Sequence, residues 1–177
     1  ADALVADGVV PYPPGTADLK HEVELVVALG RDAPPGVLTR DDAAALVLGY
    51  GVGLDLTRRD LQIASRKKER PWEVGKSFDY SAPCSAIQPA SKIGHPTAGK
   101  IWLTVNGKEA QKGDLTELIW NVPETISKLS EMAALDAGDI IMTGTPSGVA
   151  ACVAGDKLEC EVEGVGKLTV TIGQPLK

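Results

Sequence analysis

The chain has 177 residues, which is close to the size of one domain and long enough to bury a single hydrophobic core. Its 24 acidic and 18 basic side chains give a net charge of −6 and form no basic stripe, which argues against nucleic acid as a partner. No apolar run approaches the roughly 20 residues of a membrane-spanning helix, and no signal peptide is recognisable at the start. We therefore expect one domain over residues 1–177, located in the cytoplasm.

Glycine, proline and cysteine give the next indications. The 19 glycines and 12 prolines are spread along the chain, which predicts a β-rich α+β fold with many short strands, tight turns and few helices. The three cysteines, Cys84, Cys152 and Cys160, are an odd number without metal-binding spacing. We expect them to be reduced thiols that behave as small buried hydrophobes.

The first strong strand pattern is HEVELVVAL, residues 21–29. Period-two alternation places Glu22 and Glu24 on one face, which Val26 and Ala28 then continue. Two carboxylates therefore share a face that soon becomes apolar. His21 lies on the opposite face, where a packing or surface role is expected.

A short alanine-rich helix comes next, with Thr39 as its N-cap and its end at Gly49. The strand YGVGLDL at residues 50–56 follows, and alternation places its two glycines on the same face as Asp55. The missing side chains leave space beside one acid, which suits a ligand or a closely approaching backbone. Thr57 is then expected to cap the helix RRDLQIASRKK.

The second half of the chain begins with an irregular stretch of almost thirty residues, 71–99. The hairpin IWLTVNGKEAQ is the clearest local prediction, because Asn106-Gly107 is typical of a type I′ turn. A helix should start at Pro123, with Ile126, Leu129 and Ala133 as its buried stripe. The strands DIIMT, KLECEVEG and KLTVTIG complete the chain, and the glutamates of KLECEVEG should face solvent.

Glu22, Glu24 and Asp55 are the candidate metal ligands. Two glutamates two residues apart on a strand lie about 6.6 Å apart at Cβ, a span that both side chains can bridge onto one ion. Asp55 supplies a third oxygen donor, and a few carboxylates plus water suit Mg²⁺. Alternating glutamates are equally typical of a strand face that is simply exposed to water. The continuation of this face into apolar residues favours a compensating cation.

Other side chains are candidates for contacting a substrate. Lys76 could stabilise an oxyanion beside a metal, or could be a surface lysine. Arg59 and Gln62 share one helix face just after Asp55 and could bind a carboxylate. Backbone N–H groups of TGTPSG, residues 143–148, could hold an anion, or the segment could be a plain turn. His95 lies in a loop without a specific chemical indication.

Five segments in this order resemble the fumarylacetoacetate hydrolase family: HEVELVVALG, YGVGLDLTRRDLQ, KSFDYSAPCSAI, WLTVNGKEAQKGDLTELIW and GDIIMTGTPSGV. The resemblance extends from about Tyr12 to the end of the chain. PYPPGTADLK and SAPCSAI are most similar to the bacterial branch that hydrolyses fumarylpyruvate after ring cleavage of gentisate.

This resemblance implies a mixed β-sandwich roll, a homodimer and a Mg²⁺ or Mn²⁺ ion held by Glu22, Glu24 and Asp55. It implies that Lys76 is catalytic and that Arg59, Gln62 and Thr145 line the substrate pocket. The implied reaction is hydrolysis of a carbon–carbon bond in a small-molecule 2,4-dioxo acid. The cation and Lys76 would stabilise the negative charge on the departing pyruvate.

Two points of the resemblance leave alternatives open. Members of this branch carry a His and a Glu on an N-terminal lid helix that activate the water, and this chain begins after that region, so the lid segment is expected to be absent. Neither His21 nor His95 matches that histidine. The same metal site could also decarboxylate oxaloacetate or isomerise an unsaturated 2-oxo dicarboxylate. An inactive metal-binding scaffold is the third interpretation.

Overall fold

Short strands and a few helices make up residues 3–6 and 8–176, the part of the chain that this computed structural model describes. The strands are β1 (Leu4–Val5), β2 (Gly8–Pro11), β3 (Leu19–Lys20), β4 (Val23–Leu29), β5 (Val47–Leu54), β6 (Thr57–Arg58), β7 (Ala82–Pro83), β8 (Gln88–Pro89), β9 (Lys100–Val105), β10 (Lys108–Asp114), β11 (Ile140–Met142), β12 (Lys157–Val162) and β13 (Gly166–Gly173). The helices are α1 (Arg40–Leu46), α2 (Arg59–Lys67), α3 (Glu73–Lys76), α4 (Ala90–Ile93) and α5 (Val122–Ser130), with a 3-10 turn at Leu115–Glu117. The β-rich α+β composition is confirmed.

Two main sheets organise the described residues. One has the strand order β10-β9-β12-β13-β2, and the other has the order β11-β4-β5-β8. Neighbouring strands in them are antiparallel except β13 and β2, which are parallel, so the expected mixed pairing is confirmed. The strands β5 and β4 of the second sheet contact β12, β13 and β9 of the first, so the core lies between the sheets.

Alternation along the strands explains this core. Leu158, Cys160 and Val162 of β12 are buried, whereas the intervening glutamates remain accessible, as predicted. The β4 strand differs because all seven of its residues are buried, which places it in the centre of its sheet. Its inner face packs in the core, and its outer face carries the acidic residues of the site.

The boundary between α1 and β5 differs from the prediction. Thr39 caps α1 as expected, accepting a hydrogen bond from the Asp42 N–H at 3.2 Å. The helix ends at Leu46 and not at Gly49, because residues 47–49 join the ladder with β4. Cross-strand pairing therefore outweighs the helical tendency of the alanine-rich segment.

The expected cap of α2 is wrong. Thr57 belongs to β6, and its hydroxyl donates to the Asp55 carbonyl at 3.3 Å. The N-cap position is Arg58, whose side chain makes no capping bond. The Arg59 N–H instead donates to the Asp18 carbonyl at 2.9 Å, so a neighbouring loop satisfies the start of the helix.

The predicted hairpin is confirmed, because β9 and β10 pair around Asn106 and Gly107, which both have positive φ. The helix α5 begins at Val122 behind an Asn121 capping box and ends at Ser130. Ile126 is fully buried, as predicted. Ala133 lies beyond the helix and is exposed, so its place in the predicted buried stripe is wrong. Among the described residues, no helix is both long and apolar enough to cross a bilayer.

The thiols give a test of this core. All three cysteines are free and buried, and burial raises the pKa of Cys152 and Cys160 to about 12 and that of Cys84 to about 11. A raised thiol pKa keeps the unreactive protonated form dominant at pH 8. We expect iodoacetamide at pH 8 to leave all three largely unmodified in the folded protein, as measured by mass spectrometry.

The matched control is the same protein in guanidinium chloride, where all three thiols should be alkylated. Rapid modification of Cys152 or Cys160 in the native protein would contradict the packing of the core described above.

Candidate metal centre

The β4–β5 ladder brings two acids directly opposite each other. Val23 pairs with Leu54, and the Asp55 N–H donates to the Glu22 carbonyl at 2.9 Å, so the ladder continues through Glu22 and Asp55. Glu24 lies two residues further along the same face. One oxygen from each of the three carboxylates lies within 4.8 Å of the others. Alternation puts the two glutamates on one face, and the strand register then places Asp55 beside them.

Two basic side chains contact this acidic cluster. The Lys76 Nζ atom donates to Glu22 Oε2 at 2.6 Å and to Asp55 Oδ2 at 2.5 Å. Arg59 Nη2 donates to the other Glu22 oxygen at 2.5 Å, and its Nη1 donates to Gln62 Oε1 at 2.9 Å. Both oxygens of Glu22 are thus held, so its position is fixed by helices α2 and α3.

The third acid has a different partner. Glu24 Oε2 accepts a hydrogen bond from the backbone N–H of Gly144 at 2.5 Å. Thr143 holds the same segment against β4, because its hydroxyl donates to the Leu25 carbonyl at 2.9 Å. A backbone N–H in the TGTPSG segment does bind an anion, and that anion is a carboxylate of the protein itself.

Burial changes the proton affinities of the cluster. Desolvation raises the pKa of Glu24, which is 4% exposed, to about 7. Desolvation also raises the pKa of Asp55, although its hydrogen bond to Lys76 opposes this. Burial lowers the pKa of Lys76, but hydrogen bonds to Asp55 and Glu22 outweigh it, so the Lys76 pKa is raised and the ammonium form is favoured.

These residues fit a divalent cation of the Mg²⁺ or Mn²⁺ type. The donors are all carboxylate oxygens, which hard cations prefer. With all three acids ionised, as a bound cation would require, Lys76 and Arg59 leave one negative charge without compensation. Among the described residues, the hydrogen bond to Glu24 comes from Gly144 and not from Lys76 or Arg59. A buried carboxylate in that position favours a nearby cation.

Comparisons with known proteins show which family the chain belongs to. Residues 1–173 match the fumarylacetoacetate (FAA) hydrolase C-terminal family. The chain belongs to the fumarylacetoacetate hydrolase family. Fumarylpyruvate hydrolase from a Ralstonia species is 45% identical over 172 residues, which cover 96% of this chain and 88% of that relative.

Two further similar proteins are an enzyme with a different name and a solved structure. The mitochondrial oxaloacetate tautomerase of Rattus norvegicus is 43% identical over 160 residues, covering 88% of this chain and 70% of the relative. The crystal structure of fumarylpyruvate hydrolase from Pseudomonas aeruginosa in complex with Mn²⁺ and pyruvate aligns with a TM-score of 0.94 and 42% identity. That alignment covers 98% of this chain and 76% of the other.

The structure brings most of the predicted site residues together. Glu22, Glu24 and Asp55 share one face, and Lys76 and Arg59 contact them. Gln62 is buried and joins the cluster through Arg59. Thr145 lies one residue beyond the Gly144 N–H that binds Glu24. Their roles toward metal and substrate stay predictions for this member of the family.

The space predicted beside the two glycines is filled by the protein. A Cβ atom at Gly53 would lie 2.5 Å from Val26 Cγ2, and one at Gly51 would lie 3.0 Å from Ile87 Cδ1. These glycines admit neighbouring side chains of the same chain and leave no room for a ligand there. The pattern suggested a ligand or a closely approaching backbone, and the structure instead places side chains of the same chain against both glycines.

The histidines are held in separate contacts. His21 is fully buried, as a packing role requires, and its Nδ1 lies 2.8 Å from Gln111 Oε1. His95 Nδ1 lies 2.7 Å from the Tyr50 hydroxyl. No sequence pattern indicated Gln111 as a residue that supports the site. It lies in a hairpin strand whose other residues are exposed or partly exposed, and a bulge that directs it inward is not visible in the pattern.

Gly75 provides a test of how α3 positions Lys76. A Cβ atom at residue 75 would lie 2.9 Å from Gln62 Cβ and 3.0 Å from the Gln62 backbone nitrogen. Alanine normally gains about 1 kcal/mol over glycine in a helix. The clash with backbone should outweigh that gain, so we expect Gly75→Ala to reduce the free energy of unfolding by about 1–3 kcal/mol in urea titrations.

Gly166→Ala is the matched control, because no heavy atom lies within 4 Å of the added methyl group. Its unfolding free energy should change by no more than about 0.5 kcal/mol. A Gly75→Ala protein as stable as the parent would show that α2 and α3 are not in close contact.

Proposed function

We propose that this member of the family is a metal-dependent hydrolase that cleaves a carbon–carbon bond in acylpyruvates, with fumarylpyruvate as substrate and fumarate and pyruvate as products. The observation that carries the proposal is the cluster of three acids, two of them buried and Asp55 partly buried, with Lys76 bonded to two of the three. The similarity to fumarylpyruvate hydrolases, one of them crystallised with Mn²⁺ and pyruvate, supports this substrate. Such a reaction belongs to aromatic catabolism through gentisate.

Glu22, Glu24 and Asp55 would hold the cation, Mg²⁺ or Mn²⁺, through one oxygen each. When bound, the cation supplies Lewis-acid polarisation of the oxygens of a 2-oxo acid. The charge of a bound divalent cation would also make the cluster net positive, because Lys76 and Arg59 leave a single negative charge when all three acids are ionised. An anionic substrate is then attracted to the site.

Lys76 is assigned the stabilisation of negative charge on the departing pyruvate. Its ammonium group is held between Glu22 and Asp55, two of the three acids. The raised pKa of Lys76, in which the hydrogen bonds of Asp55 and Glu22 outweigh burial, keeps that charge at neutral pH. A preorganised cation stabilises developing charge without reorganisation during the reaction.

Arg59, Gln62 and Thr145 are assigned to substrate binding. Arg59 uses two of its nitrogens on Glu22 and Gln62, and a guanidinium has five N–H donors, so others remain for a carboxylate. Gln62 accepts from Arg59 through Oε1, which leaves its amide hydrogens as donors. All three residues thus offer donors, as recognition of an anionic 2-oxo acid requires. The predicted homodimer and cytoplasmic location stay predictions.

A second candidate function is proton transfer or decarboxylation on oxaloacetate. The relative from Rattus norvegicus, 43% identical, is named an oxaloacetate tautomerase, and this favours a C4 2-oxo dicarboxylate as an alternative substrate. The same acids and Lys76 would serve that chemistry, since it also places negative charge on a 2-oxo acid. Isomerisation of an unsaturated 2-oxo dicarboxylate is a related possibility. The distinction between them lies in the substrate.

The experiment offers fumarylpyruvate and oxaloacetate separately to the purified protein with Mn²⁺ or Mg²⁺. We expect loss of the dioxo-enol absorbance of fumarylpyruvate and equal amounts of fumarate and pyruvate by chromatography. EDTA should abolish the reaction, and added Mn²⁺ should restore it. Turnover of fumarylpyruvate after complete metal removal would reject the metal-dependent mechanism, whereas turnover of oxaloacetate alone would select the second candidate.

Lys76→Met tests the assigned catalytic group. Loss of a preorganised charge should lower kcat by about 100-fold or more. Binding of Mn²⁺ measured by calorimetry should persist, because the three carboxylates are unchanged. Lys92→Met, at an exposed position of α4, is the matched control and should retain full activity. Unchanged kcat in Lys76→Met would remove this residue from the mechanism. An equal loss of kcat in Lys76→Met and Lys92→Met would also remove it, because the loss would then not be specific to Lys76.

A further inference from the structure

Gln111 occupies an unusual position in the hairpin. It is 1% exposed, whereas the flanking strand residues Lys108, Glu109 and Lys112 are exposed. The β9–β10 register shifts between Glu109 and Gln111, so a bulge at Ala110 turns the glutamine inward. Bulges commonly redirect one side chain next to a functional site.

The Gln111 carboxamide links the strand that carries the acids to the TGTPSG segment. Its Oε1 accepts from the Val23 N–H at 3.2 Å and lies 2.8 Å from His21 Nδ1. Its Nε2 donates to Thr145 Oγ1 at 2.8 Å and to the Pro146 carbonyl at 2.9 Å. A glutamine amide has two acceptor and two donor positions, and all four are used here.

The direction of these bonds follows from their partners. The Val23 N–H can only donate and the Pro146 carbonyl can only accept, so the oxygen and nitrogen of the amide cannot be exchanged. The Thr145 hydroxyl oxygen therefore accepts from Gln111, and its own hydrogen stays available. In the part of the chain that the structure describes, that hydrogen has no acceptor.

Thr143 provides the contrast within the same segment. Its hydroxyl donates to the Leu25 carbonyl at 2.9 Å, so that hydrogen is used to hold the fold. Thr145 is half-buried and follows Gly144, whose N–H binds Glu24. Of the two hydroxyls that flank Gly144, that of Thr145 is thus the one whose hydrogen is free.

The backbone of this segment also lies directly on the bulge. Gly148 has a φ of +98°, and a Cβ atom there would lie 3.2 Å from the Gln111 Cα. Gly148, at the end of the TGTPSG segment, therefore lies against Gln111, the residue that also binds Thr145 and Pro146. Both ends of the Thr145–Gly148 segment are fixed to the same strand.

We propose that Gln111 is a positioning residue that holds Thr145 so that its hydroxyl donates a hydrogen bond to an anionic oxygen of the bound 2-oxo acid. This rests on the proposed function, in which Thr145 faces the substrate. Gln111 itself does not contact the substrate. It acts by occupying the acceptor side of the Thr145 hydroxyl and by tethering the Pro146 carbonyl.

The test measures pyruvate binding to the Mn²⁺-loaded protein by calorimetry, so that it does not depend on turnover. Gln111→Met keeps the length of the side chain and removes its hydrogen bonds. We expect its Kd for pyruvate to rise by about tenfold or more, the effect of a lost hydrogen bond to a charged group. The Kd for Mn²⁺ should change much less, because the three ligands remain.

A double-mutant cycle with Thr145→Val separates positioning from general damage. If Gln111 acts through Thr145, the two substitutions should be non-additive, and Gln111→Met should have little further effect once the hydroxyl is gone. Gln174→Met, at an exposed glutamine near the end of the chain, is the matched control and should bind pyruvate like the parent. Independent, multiplying effects of the two substitutions on the pyruvate Kd would overturn the proposal, as would an unchanged Kd in Gln111→Met.

Thr145 variants keep the proposal testable if Gln111→Met does not fold. Thr145→Ser retains the hydroxyl and should bind pyruvate within a few-fold of the parent, whereas Thr145→Val should lose about tenfold. Equal pyruvate affinity in both variants, or a parent that binds Mn²⁺ but no pyruvate, would overturn it. A parent that binds pyruvate and shows the expected cycle, yet does not hydrolyse fumarylpyruvate, would instead reject the proposed function and leave this role of Gln111 standing.

Discussion

Placing three carboxylates side by side in a largely buried position requires positive charge close to them, and the rest of the site follows from that requirement. The β4–β5 ladder sets Glu22 opposite Asp55, and alternation adds Glu24 on the same face. Lys76 and Arg59 compensate two of the three charges. The remaining one is the physical basis for expecting a divalent cation in this member of the fumarylacetoacetate hydrolase family.

The elements around the two strands serve to bring these compensating groups into place. Helices α2 and α3 carry Arg59 and Lys76, and they contact each other closely only because residue 75 is a glycine. The TGTPSG segment supplies the Gly144 N–H to Glu24, and Gln111 holds that segment from the hairpin. The strands that carry the acids are thus bonded directly to the segments that carry the proposed substrate-binding residues.

The sequence predicted the components of this site better than their contacts. Alternation placed Glu22 with Glu24, and Asp55 on a glycine-lined face, because side-chain direction in a strand depends only on local geometry. Register is a long-range property, so the direct opposition of Glu22 and Asp55 was not predictable. The α1 boundary and the cap of α2 were wrong for the same reason, since residues from distant segments replace the local partners. Gln111 was missed because a bulge depends on the partner strand.

The most direct test of the account is the anomalous scattering of a crystal grown with Mn²⁺. We expect one strong anomalous peak per chain within about 2.5 Å of an oxygen from each of Glu22, Glu24 and Asp55, as hard cations require. The Asp55→Asn protein should lose that peak or bind the ion weakly, with the fold unchanged. An ion bound elsewhere, or no ion on these acids at saturating Mn²⁺, would contradict the central claim that their shared burial serves to hold a divalent cation.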